Sequence, residues 1–170
     1  MARDLSLLHP QMIPLVQDWQ AKLPFTVLIY QTAREAWEQA LVYAQGRTAD
    51  EIASGVARLR GLNLMREADL LAKQTPRPGR RATKALPGLS FHQSHWLEGK
   101  WGALAIDFVP TIGGKPLWGA EEMYEEAGQI AEAVGLTWSG RWVSFKETCH
   151  CQWDKAGTIK IIPLAQGAYK

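Results

Sequence analysis

One short run constrains this chain more than any other. Residues 104–109, Leu-Ala-Ile-Asp-Phe-Val, form an apolar stretch with a single carboxylate near its centre. The run is typical of a buried β-strand, and strand alternation places Asp107 on the same face as Ala105 and Val109. A buried carboxylate is costly unless it is paired or bound to a metal ion. The fold must therefore bring either a basic side chain or metal ligands to Asp107.

The length and the charge of the chain limit the classes of protein that remain. With 170 residues, of which 46% are hydrophobic and 21% charged, the composition is typical of a single globular domain. The net charge of +2 is too small to predict a nucleic-acid partner. No apolar run approaches the ~18 residues of a membrane span, and no signal-type segment is recognised. We therefore expect a monomer that is made in the cytoplasm and does not insert into a membrane.

Hydrophobic periodicity and turn residues predict an α+β fold, with helices packed against a small, mainly antiparallel sheet. The predicted helices span residues 10–22, 33–44, 50–73 and 120–134, and the predicted strands span 25–30, 104–109, 149–153 and 158–163, the last two joined by a turn at 154–157. Gly55 and Gly61 leave open whether 50–73 is one helix or two. Residues 74–88 are predicted to be a loop. Trp37 is expected in the core, and Pro110 is expected to close the strand before it.

His150 lies in another predicted strand, with a carboxylate shortly before it. Alternation puts His150 and Gln152 on one face of that strand, and Glu147 precedes His150 by three residues. Two histidines, Asp107 and a free glutamate suit a catalytic zinc site, because three protein ligands leave a fourth position for water and the glutamate can take its proton. Of the other histidines, His9 stands at a helix entrance and is interpreted as structural.

The two cysteines of the chain, Cys149 and Cys151, are expected to be small buried hydrophobes. They lie one residue apart, so a disulfide between them would be strained, and a disulfide framework is excluded. Alternation directs both away from His150, and no second cysteine pair exists to complete a structural zinc site.

Three separated segments carry recognisable motifs. Ser-Phe-His at 90–92, followed by Gly-Ala-Leu-Ala-Ile-Asp at 102–107, is similar to S-x-H-x-x-G-x-A-x-D. Residues 138–152 are similar to W-G-G-x-W-x-x-F-x-D-x-x-H-F-Q. Upstream, T-x-R-x-x-x-E-Q-x-x-L-Y-x-Q-G-R-T is matched by Thr32, Arg34, Gln39, Tyr43 and residues 45–48. Together these segments resemble the family of zinc D,D-carboxypeptidases and L-alanyl-D-glutamate endopeptidases, which includes bacterial cell-wall enzymes and phage endolysins.

The resemblance implies both a fold and a set of residue roles. The implied fold is a LAS/hedgehog-like metallopeptidase domain that spans residues 1–170. The implied zinc ligands are His92, Asp107 and His150. The other implied site residues are Glu147 as general base, Arg34 as a group that binds substrate and stabilises the oxyanion, and Ser90 as a substrate contact near the metal.

The chain departs from the family pattern at four places. Residues 93–101 lengthen the segment between His92 and Asp107 and are interpreted as an inserted loop, and residues 49–76 are a second insertion. Glutamate replaces the commoner aspartate at position 147, which keeps the carboxylate chemistry. Cysteine replaces an aromatic residue at 151, which is a packing change.

The first metal ligand has an alternative. His95 lies nearer to Asp107 along the chain, and either histidine could reach a metal held by that strand. The local Ser-Phe-His context favours His92, and we then expect His95 to be incidental or to face the substrate.

The predicted function is hydrolysis of peptidoglycan stem peptides by a zinc metallopeptidase. The specific expectation is an L-alanyl-D-glutamate endopeptidase that acts as a phage endolysin in host cell lysis, reaching the wall through a separate holin. Two alternatives are a D-Ala-D-Ala carboxypeptidase of cell-wall remodelling and a non-catalytic wall-binding module whose tryptophans stack on saccharides. Glu147 argues against the module, because a pure binder needs no base beside a metal ligand.

Overall fold

A computed structural model describes residues 3–154 of the chain. The helices are α1 (Met12–Lys22), α2 (Ala36–Ala44), α3 (Ala49–Gly61), α4 (Met65–Ala72) and α5 (Glu121–Ala133). The strands are β1 (Thr26–Gln31), β2 (Ser94–Leu97), β3 (Lys100–Ala103), β4 (Ala105–Ile112), β5 (Lys115–Pro116), β6 (Thr137–Trp138) and β7 (His150–Gln152). Short 3₁₀ turns stand at Leu5–Leu7 and Ser139–Arg141.

The main sheet is antiparallel and is centred on β4. Its strand order is β1-β4-β7-β6, and β5 pairs with the end of β4. The remaining strands, β2 and β3, form a separate hairpin. Strand β4 is buried along most of its length because it lies inside the sheet, which confirms the predicted α+β class and the buried strand.

Two hydrophobic cores hold the helices in place. In the first, α1 and α5 pack on the sheet through residues such as Trp19, Ala127 and Phe108. The indole N–H of Trp19 donates a hydrogen bond of 2.8 Å to the carbonyl of Ala127, so this buried polar group is satisfied. In the second core, small and aliphatic residues such as Ala40 and Leu71 join α2, α3 and α4.

Two local predictions are wrong and one open question is resolved. Trp37 is 51% exposed, because the buried face of α2 carries alanines and Gln39, which allow close approach to its neighbours. Pro110 does not close the strand, since the pairing of β4 with β1 continues to Thr111. The stretch 50–73 is two helices, separated near Asn63, whose φ of 59° lies in the left-handed region.

The two predicted insertions have regular structure. Residues 49–76 contain α3 and α4, and residues 93–101 contain most of the β2–β3 hairpin rather than a loop. That they are insertions in a single peptidase domain stays a prediction. The predicted strand at 158–163 lies outside the described residues, as does most of the turn at 154–157. Within residues 3–154, no helix combines the length and the apolar character needed to cross a membrane.

A close backbone approach beside β3 gives a stability prediction. The His9 N–H donates to the Ala103 carbonyl at 2.9 Å, and a Cβ added at Gly102 would fall on the backbone of His9. We expect Gly102→Ala to lower the free energy of unfolding by roughly 1–3 kcal/mol, measured by urea denaturation. Gly61→Ala is the matched control, because a Cβ there meets no atom within 4 Å. Equal stability of the two variants would contradict this packing.

Candidate active site

Three ligand-type side chains meet where β4 and β7 pair. Asp107 of β4 lies opposite His150 of β7 in the antiparallel register, and His92 approaches from the loop that precedes β2. His92 Nε2 is 3.2 Å and His150 Nδ1 is 3.0 Å from Asp107 Oδ1, and the two ring nitrogens are 3.1 Å apart. The pairing of two central strands therefore assembles a cluster that could hold a metal ion.

Hydrogen bonds on the far side of each imidazole fix which nitrogen faces the cluster. His92 Nδ1 lies 2.9 Å from the Thr32 carbonyl, which only accepts, so Nδ1 carries the proton. His150 Nε2 lies 3.1 Å from Gln152 Oε1 and donates in the same way. Two unprotonated ring nitrogens and a carboxylate then point at one another. Such a donor set fits a divalent metal such as zinc, and it needs a cation to be stable.

The protonation states of these groups suit metal ligation. Burial lowers the pKa of His92 and favours its neutral form. Burial alone would raise the pKa of Asp107, but the two imidazoles hold it well below its usual range. Burial likewise lowers the pKa of His150, but the close Asp107 carboxylate raises it above its usual value. The carboxylate is therefore ionised and favours a positive charge, a proton or a metal ion, between itself and the rings.

Glu147 lines the same cavity, ahead of β7. Its backbone carbonyl accepts hydrogen bonds from the Ser139 hydroxyl and from the His150 N–H. These bonds hold the backbone at position 147 against the start of β7, the strand that carries His150. Burial raises the pKa of its carboxyl; the charge on His150 lowers it and that on Asp107 raises it. A partly desolvated carboxylate with a raised pKa is suited to accept and return a proton.

Arg34 reaches the cavity from the connection between β1 and α2. Its guanidinium donates to the side-chain oxygens of Gln39 and Gln31, both at 2.7 Å, and one of its nitrogens is 3.8 Å from Asp107 Oδ2. The Arg34 backbone N–H donates to the His92 carbonyl at 2.7 Å. The loop with the first ligand and the segment with the arginine are thus joined directly.

The structure places the competing histidines in different surroundings. His95 is buried behind the His92 loop, where its Nε2 is 2.8 Å from the Ser90 carbonyl, and it is outside the metal cluster. His95 belongs to β2 and is not among the residues that line the cavity. Ser90 lines the cavity, and its hydroxyl accepts from the His92 N–H at 3.3 Å. His9 is structural, with Nε2 at 3.0 Å from the Leu97 carbonyl.

The cavity has a volume of about 890 Å³, and its walls come from several segments between residues 30 and 152. It is lined by Tyr30, Gln31, Arg34, Val42, residues 82–85, residues 89–92, Asp107, residues 142–145, Glu147, Cys149, His150 and Gln152. The lining includes every predicted site residue. Cys149 is only partly buried, lies in the cavity lining and has its thiol against Tyr30, because it precedes β7 and strand alternation does not extend to it.

Sequence reasoning missed some residues that build this site. Gln31, Tyr30 and Trp142 line the cavity, and the Trp142 ring is 5.8 Å from that of His150. A polar residue at the end of an otherwise apolar strand, as Gln31 is, was the available signal. The orienting role of Gln152 follows from the face that it shares with His150.

This chain was compared with known families, curated proteins and solved structures. Residues 87–153 match a family model described as D-alanyl-D-alanine carboxypeptidase. One similar solved structure is the L-Ala D-Glu endopeptidase ChiX of Serratia marcescens, at 16% identity and a TM-score of 0.49, covering 89% of this chain and 86% of that chain. Another is the vancomycin resistance D,D-pentapeptidase VanY of a VanB-type cassette in complex with Zn(II), at 16% identity and a TM-score of 0.46, covering 86% and 72%. A search of curated proteins found no match.

The sheet presents a His-Asp-His cluster that could hold a metal ion, beside a partly buried glutamate, and this arrangement is similar to the site of a metallopeptidase. The family match over residues 87–153, the segment that carries the cluster and Glu147, confirms the resemblance to the zinc D,D-carboxypeptidase family.

Proposed function

We propose that this chain is a zinc peptidase that hydrolyses peptidoglycan stem peptides, and specifically an L-alanyl-D-glutamate endopeptidase. The observation that carries the proposal is the convergence of His92 Nε2, Asp107 Oδ1 and His150 Nδ1 within 3.0–3.2 Å of one another on the wall of a large cavity. These three residues would hold the zinc ion.

The chemistry divides between the metal and the chain. Zinc held by His92, Asp107 and His150 would supply a Lewis acid and would lower the pKa of water. Glu147 takes the proton of the attacking water and passes it to the leaving amine, for which its raised pKa suits it. Arg34 faces the cavity with a guanidinium that binds a substrate anion and stabilises the developing oxyanion. Ser90, on the same wall, contacts the substrate.

A D-Ala-D-Ala carboxypeptidase is the second candidate, and the description of the matching family model favours it. The two activities cut opposite ends of the same stem peptide. An N-acetylated pentapeptide, acetyl-L-Ala-γ-D-Glu-L-Lys-D-Ala-D-Ala, separates them by mass spectrometry. The endopeptidase releases acetyl-L-alanine, whereas the carboxypeptidase releases free D-alanine.

The same digestion tests the zinc requirement. Protein stripped with a chelator should not cleave the peptide, and stoichiometric zinc should restore cleavage, with about one zinc per chain measured by elemental analysis. Full-rate cleavage by the metal-free protein would overturn the proposal, as would a zinc-loaded protein that leaves the peptide intact.

Replacing Arg34 by lysine tests the role proposed for the guanidinium. The variant keeps the positive charge but loses the planar guanidinium, which donates hydrogen bonds to Gln31 and Gln39. We expect kcat/KM on the stem peptide to fall about 10- to 100-fold, with the zinc content unchanged. Arg58→Lys is the matched control, because Arg58 is an exposed residue of α3, and this variant should behave like the wild type. Wild-type kinetics for Arg34→Lys would remove Arg34 from the substrate site.

The proposed biological role of this activity is host cell lysis. An endolysin made in the cytoplasm and released through a separate holin would use this activity to lyse the host wall. Co-expression with a holin in a bacterial host should cause lysis, and the protein without a holin should not.

A further inference from the structure

Two glutamine side chains accept hydrogen bonds from the guanidinium of Arg34. Gln31, at the end of β1, and Gln39, in α2, accept hydrogen bonds of 2.7 Å from its two terminal nitrogens. The glutamines are 2% and 0% exposed, and Gln39 Nε2 donates to the Ala85 carbonyl at 2.8 Å. The orientation of Arg34 is therefore set by buried groups on two different elements.

The choice of amides is unusual, because a carboxylate would hold an arginine more strongly. At position 31 the amide nitrogen does nothing that the structure describes: Gln31 Nε2 is buried without a hydrogen-bond partner among residues 3–154. Such an unsatisfied donor costs stability. Glutamate at 31 would keep the oxygen that Arg34 uses and would remove the unsatisfied N–H₂ group.

The side-chain hydrogen bonds of the Arg34 guanidinium go to neutral amides, while Asp107, Glu38 and Glu147 act on its charge electrostatically. Its closest ion-pair partner among the described residues is Asp107 Oδ2, which at 3.8 Å is beyond hydrogen-bond distance. The other oxygen of Asp107 faces both imidazoles of the cluster at 3.0–3.2 Å. A guanidinium has several N–H groups beyond the two that the glutamines use, and Arg34 lines the cavity.

We propose that Gln31 and Gln39 are positioning residues that aim Arg34 into the cavity while leaving its charge free to bind a carboxylate of the peptide substrate. Because Gln31 carries no charge, it lets Arg34 select substrates that have a carboxylate at this wall. The unsatisfied N–H₂ group of Gln31 lowers the stability of the fold in return. The proposal rests on the proposed function, since it names the part of the stem peptide that this wall recognises.

The test compares Gln31→Glu, which keeps the acceptor but adds a charge, with Gln31→Leu, which stays neutral but loses the acceptor. Gln17→Glu, exposed on α1 and outside the cavity lining, is the control for added charge. The substrates are the acetylated stem pentapeptide and versions in which the D-Glu α-carboxyl or the C-terminal carboxyl is amidated. Zinc content and Tm are measured for each protein.

We expect the wild type to prefer the free form of one of these carboxylates by about 10- to 100-fold in kcat/KM. In Gln31→Glu that preference should collapse through a higher KM for the free form, while zinc content is retained and Tm is not lowered. Gln31→Leu should lose the same preference because Arg34 is no longer aimed. A purely structural role predicts that Gln31→Glu keeps the wild-type KM, and this result would overturn the proposal. An equal loss on free and amidated peptides would overturn it too.

Failure of the proposed function is recognised separately. If the wild type cleaves none of the peptides, the NMR signal of the Arg34 Nε–H in the zinc-loaded protein is titrated with acetyl-D-alanine and with its amide. Saturable binding of the acid alone, weakened in Gln31→Glu, supports the role of Gln31 without hydrolysis. No response, or the same response in both proteins, rejects it.

Discussion

Replacing Glu147 by glutamine is expected to lower kcat on the stem peptide by about 10²- to 10⁴-fold, the contribution typical of a general base. The amide cannot accept the proton of the attacking water. The hydrogen bonds that anchor position 147 use its backbone carbonyl, so the variant should keep its fold. Initial rates, zinc analysis and circular dichroism together measure this outcome.

The control for this prediction is Glu126→Gln, an exposed glutamate of α5 outside the cavity lining. It removes the same charge and should leave kcat within a few-fold of the wild type. If Glu147→Gln does so too while binding zinc normally, Glu147 is not the base. A loss of zinc together with activity would instead place its carboxylate among the metal ligands.

Removing the His92 imidazole is expected to abolish zinc binding and activity together. Its Nε2 faces both Asp107 and His150 at 3.1–3.2 Å, so alanine leaves a carboxylate and one imidazole, which is a poor zinc site. Zinc per chain and peptide cleavage should both fall to background. Zinc retained at wild-type stoichiometry in His92→Ala would show that another residue is the first ligand.

His95→Ala is the matched comparison, and we expect it to keep zinc and at most weaken turnover. His95 is 2% exposed and bonds to the Ser90 carbonyl, so its loss leaves a cavity beside the His92 loop. The expected effect is therefore a lower Tm. If zinc and activity are lost in His95→Ala but retained in His92→Ala, the two histidines exchange roles.

Several features of the site could be predicted from single residues. Asp107 stands out because a carboxylate in a buried strand requires a partner, whatever the rest of the fold may be. His150 and Gln152 share a face by strand alternation, and in the structure Gln152 Oε1 does accept from the His150 ring. The positions of most helices follow in the same way, because periodicity and end signals are local properties of the chain.

Packing decisions, by contrast, needed the tertiary structure. Periodicity placed Trp37 in the core, yet the helix turns small residues inward because α4 lies close to α2. The interpretation of residues 93–101 as a loop is wrong for a related reason. A hairpin of polar and aromatic residues becomes stable only where its strands pair with each other and its backbone lies against residues 8–9.

The sequence by itself determined that this chain carries a carboxylate in a buried strand, a histidine with a glutamate shortly before it, and an α+β order of elements. It could not decide between His92 and His95, because chain length allows both to reach the strand. The tertiary structure brings the His92 ring to Asp107 through the Thr32 carbonyl and the pairing of β4 with β7, while His95 Nε2 lies against the Ser90 carbonyl. The physical reason is that side-chain direction depends on contacts between segments far apart in sequence, which no local pattern encodes.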